Sequence, residues 1–123
     1  MKLKIPALLA ISSFLFVGCS STDSRLDLVK NGIFDFCPQK TVKAMVNGYV
    51  ANPKWEALVA SDGEDYVNVS GQITYFDQPV DMLLQFQVDT DSERFEVNAF
   101  EMNGEPQNYF MSDALLENMC YGD

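Results

Sequence analysis

Val67-Asn68-Val69-Ser70-Gly71-Gln72-Ile73-Thr74-Tyr75 alternates apolar and polar side chains, with Gly71 at one apolar step. Val80-Asp81-Met82-Leu83-Leu84-Gln85-Phe86-Gln87-Val88 does the same, with Leu83 as the exception. Period-two alternation puts one set of side chains on each face of a pleated strand, so each stretch predicts a strand with one buried face. Asp77-Gln78-Pro79 between them predicts a turn, and Asp89-Thr90-Asp91-Ser92 predicts the next. Beyond it Phe95, Val97 and Ala99 alternate with Glu96 and Asn98, a third strand. Short connections make the three an antiparallel β-meander. Continued unbroken, the alternation places Phe100 and Met102 on the polar face of the third strand.

The flanking segments change period. Arg25 to Phe36 reads as a short element, a turn at Asn31-Gly32 and an extended lead into Cys37-Pro38. Thr41 caps a helix whose Val42, Met45, Val46, Tyr49 and Val50 share one face. Asn52-Pro53 ends it, because a residue before proline avoids helical geometry. Gly48 costs that helix about 1 kcal/mol relative to alanine and suggests close packing on the sheet. Trp55 then plugs the helix end onto the core. Asn103-Gly104-Glu105-Pro106 closes the meander, and Ser112 caps a last helix through Cys120 with Leu115, Leu116 and Met119 inward. The expected fold is α+β: helix, three-stranded meander, C-terminal helix, with the helices on one face of the sheet and one domain over 25–123.

Ahead of this domain, Lys2 and Lys4 precede an apolar run from Ile5 to Val17 broken only by Pro6 and Ser12-Ser13. Such a run rises about 20 Å as a helix, against a hydrocarbon core of about 30 Å, so it reads as a secretory signal peptide and not a membrane span. Its end, Leu15-Phe16-Val17-Gly18-Cys19-Ser20-Ser21, resembles the lipobox of bacterial lipoproteins. The resemblance implies removal of residues 1–18 and acylation of Cys19, which gives the multiple-chain anchoring that one acyl chain does not. The alternative is an ordinary signal peptide with a cysteine at its cleavage site. Ser20 stands where an aspartate would resemble the inner-membrane retention signal, which favours an outer membrane facing the periplasm. Residues 19–24, mostly serine and threonine, read as a flexible tether.

Charge and cysteines follow from that processing. The 123 residues hold 8 basic and 18 acidic side chains and no histidine, for a net charge of −10. An acidic chain lacks the basic face that nucleic acid requires. Absence of histidine removes Ser-His and Cys-His chemistry and the commonest metal ligand. From Cys19 onward 6 basic and 18 acidic residues remain, a charge of −12 that anionic lipid surfaces repel, so acyl chains must hold the domain. Cys37 and Cys120 are then an even pair in an oxidising compartment, which favours a disulfide over two buried free thiols. The bond would close a loop of about 84 residues, worth about 4 kcal/mol in the chain-entropy model.

Further motifs widen the resemblance. Val29-Lys30-Asn31-Gly32, Asn52-Pro53-Lys54-Trp55-Glu56, Tyr66-Val67-Asn68-Val69-Ser70-Gly71 and Gln85-Phe86-Gln87-Val88-Asp89 carry a likeness that continues through Phe95-Glu96-Val97-Asn98-Ala99-Phe100-Glu101, Pro106-Gln107-Asn108 and Leu115-Leu116-Glu117-Asn118-Met119-Cys120. Across Val29 to Cys120 the chain resembles a family of small, uncharacterised bacterial secreted or membrane-tethered domains, which implies one compact domain and no particular chemistry. It is also similar to small outer-membrane assembly lipoproteins, in which a lipid tether carries a helix and three strands.

Four constellations bear on function. Asp89-Thr90-Asp91-Ser92-Glu93 has the oxygen spacing of a calcium loop, but Arg94 stands where such a loop needs glycine and Phe100 where it needs glutamate, so a solvated turn is expected. Asp62, Glu64 and Asp65 are weak candidates for a metal site of another kind. Paired carboxylates without histidine would allow glycoside hydrolysis, but a domain this small has little room for a deep cleft, and no catalysis is expected. Phe100, Met102, Tyr109, Phe110 and Met111 form the candidate partner surface; the alternative is that they seal the sheet edge against the last helix. The expected function is protein interaction or envelope assembly by a lipid-anchored accessory domain without cofactor. The alternative is a small-ligand or metal-binding lipoprotein without catalysis.

Overall fold

The computed structural model of the chain describes residues 23–122; the expected signal peptide (1–18), Cys19 and tether positions 20–22 lie outside them. Its elements run α1 (Ser24–Lys30), α2 (Val42–Tyr49), β1 (Ala51–Val59), β2 (Asp65–Tyr75), β3 (Gln78–Asp89), β4 (Arg94–Met102), β5 (Glu105–Pro106) and α3 (Tyr109–Tyr121). The class is α+β as expected, but the antiparallel sheet has five strands in the order β1-β2-β3-β4-β5, not three. Among the described residues no helix is long and apolar enough to cross a membrane. Asp23 caps α1 and Ser24 opens it, so the expected tether loses its last two positions to the fold.

The central hairpin pairs without interruption from Asp65↔Val88 to Tyr75↔Gln78. Val67, Val69 and Ile73 of β2 and Val80, Met82, Leu84, Phe86 and Val88 of β3 are buried on one face. Asn68, Ser70, Gln85 and Gln87 point to the other, as the alternation requires. The helices cover only the apolar face. Val29 of α1, Val42, Met45 and Val46 of α2, and Leu115, Leu116, Met119 and Cys120 of α3 join it in one core.

The first missed strand, β1, follows α2 with only Val50 between. Asn52-Pro53 does not end the helix, which stops at Tyr49 with Val50 as its cap; the pair lies inside the edge strand, where Asn52 takes φ 53° and the pairing with β2 slips between Ala51 and Lys54. Trp55 and Ala57 then lie opposite Val69 and Val67 on the inner face. Trp55 is thus a strand residue and not a helix plug, with the Lys30 ammonium 5.3 Å from its ring centroid. Gly71 sits beside this irregularity, and a Cβ there would lie 2.5 Å from Val50 Cγ1 and 2.7 Å from the Ala51 carbonyl oxygen. Gly48, expected to allow close packing, faces open space.

The third expected strand, β4, carries the second irregularity. Phe86 pairs with Val97 but Gln85 pairs with Ala99, so Asn98 is an extra residue. A bulge of this kind reverses the parity of everything after it. Phe100 and Met102 therefore turn inward opposite Leu84 and Met82, and Phe100 is buried at 2% exposure. The polar-face placement expected for them is wrong for this reason. Asn103 and Gly104, at φ 51° and 81°, then turn the chain into the two-residue β5.

Asn108, not Ser112, caps α3: its side chain accepts from the Met111 N–H, while Ser112 lies buried inside the helix. Cys37 and Cys120 form the disulfide with Cα atoms 5.9 Å apart, and both residues are buried. It ties the loop between α1 and α2 to the end of α3. Lys40 Nζ donates to the Met119 and Gly122 carbonyls at 3.4 Å, and Tyr121 Oη donates to the Phe36 carbonyl at 3.2 Å. The Lys40 bonds satisfy carbonyls at the end of α3, and the Tyr121 bond ties that end to the α1–α2 loop.

The two glycines predict opposite outcomes. Gly71→Ala forces strand backbone and Val50 apart and is expected to destabilise by about 2 kcal/mol. Gly48→Ala is expected to stabilise by about 0.5–1 kcal/mol. Urea unfolding of both variants reads the difference.

Candidate functional site

The covering layer is shorter than the sheet. β3 has 12 residues and spans about 40 Å, whereas α3 has 13 and spans about 20 Å, with α1 and α2 shorter still. One end of the inner face is consequently left open. There a groove of about 310 Å³ is lined by Tyr75, Val80, Met102, Asn103, Glu105 and Gln107. Tyr75 and the half-buried Met102 are on inner-face registers opposite Gln78 and Met82.

The β2–β3 turn follows directly on Tyr75, one of the residues that line this groove. Phe76 and Asp77 occupy its two central positions with φ 51° and 63°. A two-residue turn with both central φ positive is the connection that fits sheet twist, and it favours Asn-Gly, which is the pair found at Asn103-Gly104. Phenylalanine is a poor occupant: its Cβ makes the left-handed region cost about 1 kcal/mol. Phe76 is also 82% exposed, its ring 4.5 Å from that of Tyr75. A side chain that is both strained and solvated contributes nothing evident to the fold, which directs attention to contact with another molecule.

Of the five residues expected as a partner surface, the structure leaves two in solvent. Tyr109 and Phe110 open α3 at 79% and 82% exposure. Phe100 belongs to the core, and Met102 and Met111 are half-buried against it. Tyr75 and Phe76 were missed because the alternation ends at Tyr75 and the turn was placed one residue late. The available signal was an aromatic running past the last strand position into a turn, where small polar residues are the rule.

The opposite end of the sheet is polar. Asp65, on the inner-face register at the start of β2, receives Arg25 Nη1 at 3.0 Å, and Arg25 Nη2 lies 2.7 Å from Asp23 Oδ2. This bridge fixes the start of α1 to the end of the sheet about 33 Å from Tyr75. Arg25 holds the Asp23 carboxyl down to about 2, chiefly through its side-chain hydrogen bond. Asp62, Glu64 and Asp65 are not gathered. Asp62 accepts from the Glu64 N–H and from Tyr66 Oη, and Asp65 pairs with Arg25. Among the described residues no group of three or more His, Cys, Asp or Glu is placed to hold a metal ion. Tyr66 has its phenol pushed up by loss of solvent and then by Asp62.

Asp89 folds its own turn, its Oδ1 accepting from the Asp91 and Ser92 N–H groups, and the Ser92 hydroxyl leads in holding its carboxyl below the usual range. Between these turns lies a wide cleft of about 890 Å³ where Phe34 and Phe95 meet Asp35, Glu64, Asp89 and Glu96, with Arg94 among them. These carboxylates surround an open mouth and show no nucleophile–base arrangement.

Two outcomes follow. Phe76→Asn, which suits the left-handed turn, is expected to stabilise by about 1 kcal/mol in thermal unfolding although it removes a large apolar side chain. Asp23→Asn keeps a helix cap while removing the charge. Because the folded-state value of Asp23 lies below its ordinary 3.8, its contribution is present above about pH 4 and is lost as pH falls toward 2. Acid titration of stability is expected to be shallower in Asp23→Asn than in the parent across that window.

Comparison with models of protein families, with curated proteins and with solved structures finds no match, so a functional assignment rests on the geometry of this chain alone.

Proposed function

We propose that this chain is a lipid-anchored extracytoplasmic domain that works through protein contacts, as an accessory of envelope assembly at the periplasmic side of the outer membrane. The observation that carries the contact role is Phe76, strained and exposed in the turn at one end of the sheet, with its ring against Tyr75. The anchor rests on the likeness of Leu15 to Ser21 to a lipobox and on the small polar run after Cys19. The buried Cys37–Cys120 disulfide suits an oxidising compartment.

Geometry gives the reading a direction. Asp23, the first described residue, lies at the Arg25–Asp65 end, so a lipid on Cys19 would join the chain at the end opposite the aromatic one. Aromatic side chains held away from lipid serve a protein interface better than membrane insertion. The reading includes no catalysis, no cofactor and no nucleic-acid partner.

A second reading, a binder of small ligands without catalysis, has the cleft near Phe34 and Phe95 in its favour. Its breadth and its four carboxylates suit a cation better than an apolar molecule.

Cell fractionation with fatty-acid labelling tests the anchor. The parent chain is expected in the outer-membrane fraction carrying label, and Cys19→Ser in the soluble fraction without it. Unlabelled parent protein in the soluble fraction would refute anchoring.

A further inference from the structure

We propose that Ile33 and Phe36, in the loop between α1 and α2, rest in the headgroup layer of the bilayer that holds the anchor, and that the surface they fit is zwitterionic and not anionic. The proposal rests on the reading of Cys19 as the lipid-bearing residue and adds which face of the domain meets that bilayer.

The loop carries side chains that a loop does not need. Small polar residues are the rule where the backbone is irregular, yet Ile33, Phe34 and Phe36 fall together here. Phe34 turns inward, its ring centroid 6.4 Å from that of Phe86 and 5.6 Å from that of Phe95. Ile33 and Phe36 stay 54% and 40% exposed. The loop backbone is held in place. Gly32 packs so closely on the Phe95 ring that a Cβ has no room, the Val42 N–H donates to the Gly32 carbonyl, and Cys37 is bonded to Cys120. The Phe36 ring stacks on that of Phe34 with centroids 5.2 Å apart. A preset pair of apolar side chains loses little further freedom on entering an apolar phase.

Position selects the phase. Ile33 and Phe34 line the wide cleft together with Val88, which pairs opposite Asp65. Arg25 joins Asp65 to Asp23, so the first described residue stands at the same end of the sheet. Cys19 to Asp23 is four residue steps, at most about 14 Å of extended chain. A lipid on Cys19 therefore keeps this end at the membrane surface, while the Phe76 turn lies a strand length away at the other end of β2. Apolar side chains fixed here bury area at the headgroup–acyl boundary and add to the hold of the acyl chains. Charge selects the lipid. Asp35, Glu64, Asp89 and Glu96 line the same cleft, with Arg94 as its one basic lining residue. Anionic headgroups repel such a rim, whereas zwitterionic headgroups carry no net charge.

The test takes the chain from Cys19 onward, which holds every described residue, with Cys19 coupled to a maleimide phospholipid; the other two cysteines are bonded to each other. In phosphatidylcholine nanodiscs, a lipid spin-labelled at its headgroup broadens amide signals close to the interface. Broadening at Ile33–Phe36 is expected to exceed that at two other turns of this end, Asp62–Glu64 and Asp91–Ser92, by about threefold. Tyr75–Asp77 is expected to be unaffected. Ile33→Ser with Phe36→Ser is expected to bring the loop down to the level of those turns, and Ile33→Ser alone about halfway. Unchanged shifts at Val67 and Leu84 report an intact fold in each variant. Replacing half the lipid with phosphatidylglycerol is expected to weaken the loop contact about threefold, and high salt to restore it.

Equal broadening at all turns of this end, stronger broadening at Tyr75–Asp77, no loss in an intact serine variant, or a contact that strengthens on phosphatidylglycerol would overturn the proposal. The coupling is chemical, so the two readings fail separately. An unlabelled Cys19 in cells defeats the anchor whatever the spin label reads, and a labelled Cys19 without contact at Ile33–Phe36 defeats this face alone.

Discussion

A five-stranded sheet with one apolar face has to be covered on that face, and here the cover consists of three short helices. Segments of 7, 8 and 13 residues do not hold helical structure alone in water. Each is stable only because it buries a stripe against Val67, Val69, Leu84, Phe86 and their neighbours. The Cys37–Cys120 bond turns this mutual dependence into one closed unit, since it joins the loop between α1 and α2 to the C-terminal turn of α3. Gln39 Nε2 and Lys40 Nζ add hydrogen bonds around the same junction.

The mismatch between long strands and short helices makes the two ends of the sheet chemically different. At the start of β2 the inner face ends in a charge pair, Asp65 with Arg25, which faces water at little cost. At the other end Tyr75 and Met102 stay partly exposed on the inner face, with Phe76 beside Tyr75 in a backbone conformation that asparagine or glycine would hold more comfortably. The same sheet builds an Asn-Gly turn of that type at Asn103-Gly104, so the fold itself does not demand an aromatic there.

Much of this was legible in the residues. Thr41 and the stripe from Val42 to Val46 marked α2, the alternation marked β2 and β3, and an even cysteine pair marked the disulfide. What escaped shares one cause: short-range patterns do not show where a strand breaks register. Trp55, Ala57 and Val59 alternate with Lys54 and Glu56, but Asn52-Pro53 read as a terminator concealed the strand beyond it. The extra residue at Asn98 put Phe100 and Met102 in the core against the unbroken alternation. Asn108 and Ser112 are both competent caps, and only packing chose the earlier one. Of the five residues expected on a partner surface, Tyr109 and Phe110 are exposed and Phe100 is buried. The exposure of Phe76 follows from its place in the β2–β3 turn, which no alternation pattern shows.

The central claim is that the disulfide holds a helical cover on one face of a sheet that is otherwise self-pairing. Native-state hydrogen exchange on the oxidised and the reduced chain tests it most directly. Reduction is expected to lower protection of Leu115 to Cys120 by roughly a thousandfold, the equivalent of about 4 kcal/mol, and by less at Val67, Val69, Leu84 and Phe86. Unchanged protection in α3, or an equal loss in helix and strands, would contradict a staple whose role is to hold the cover.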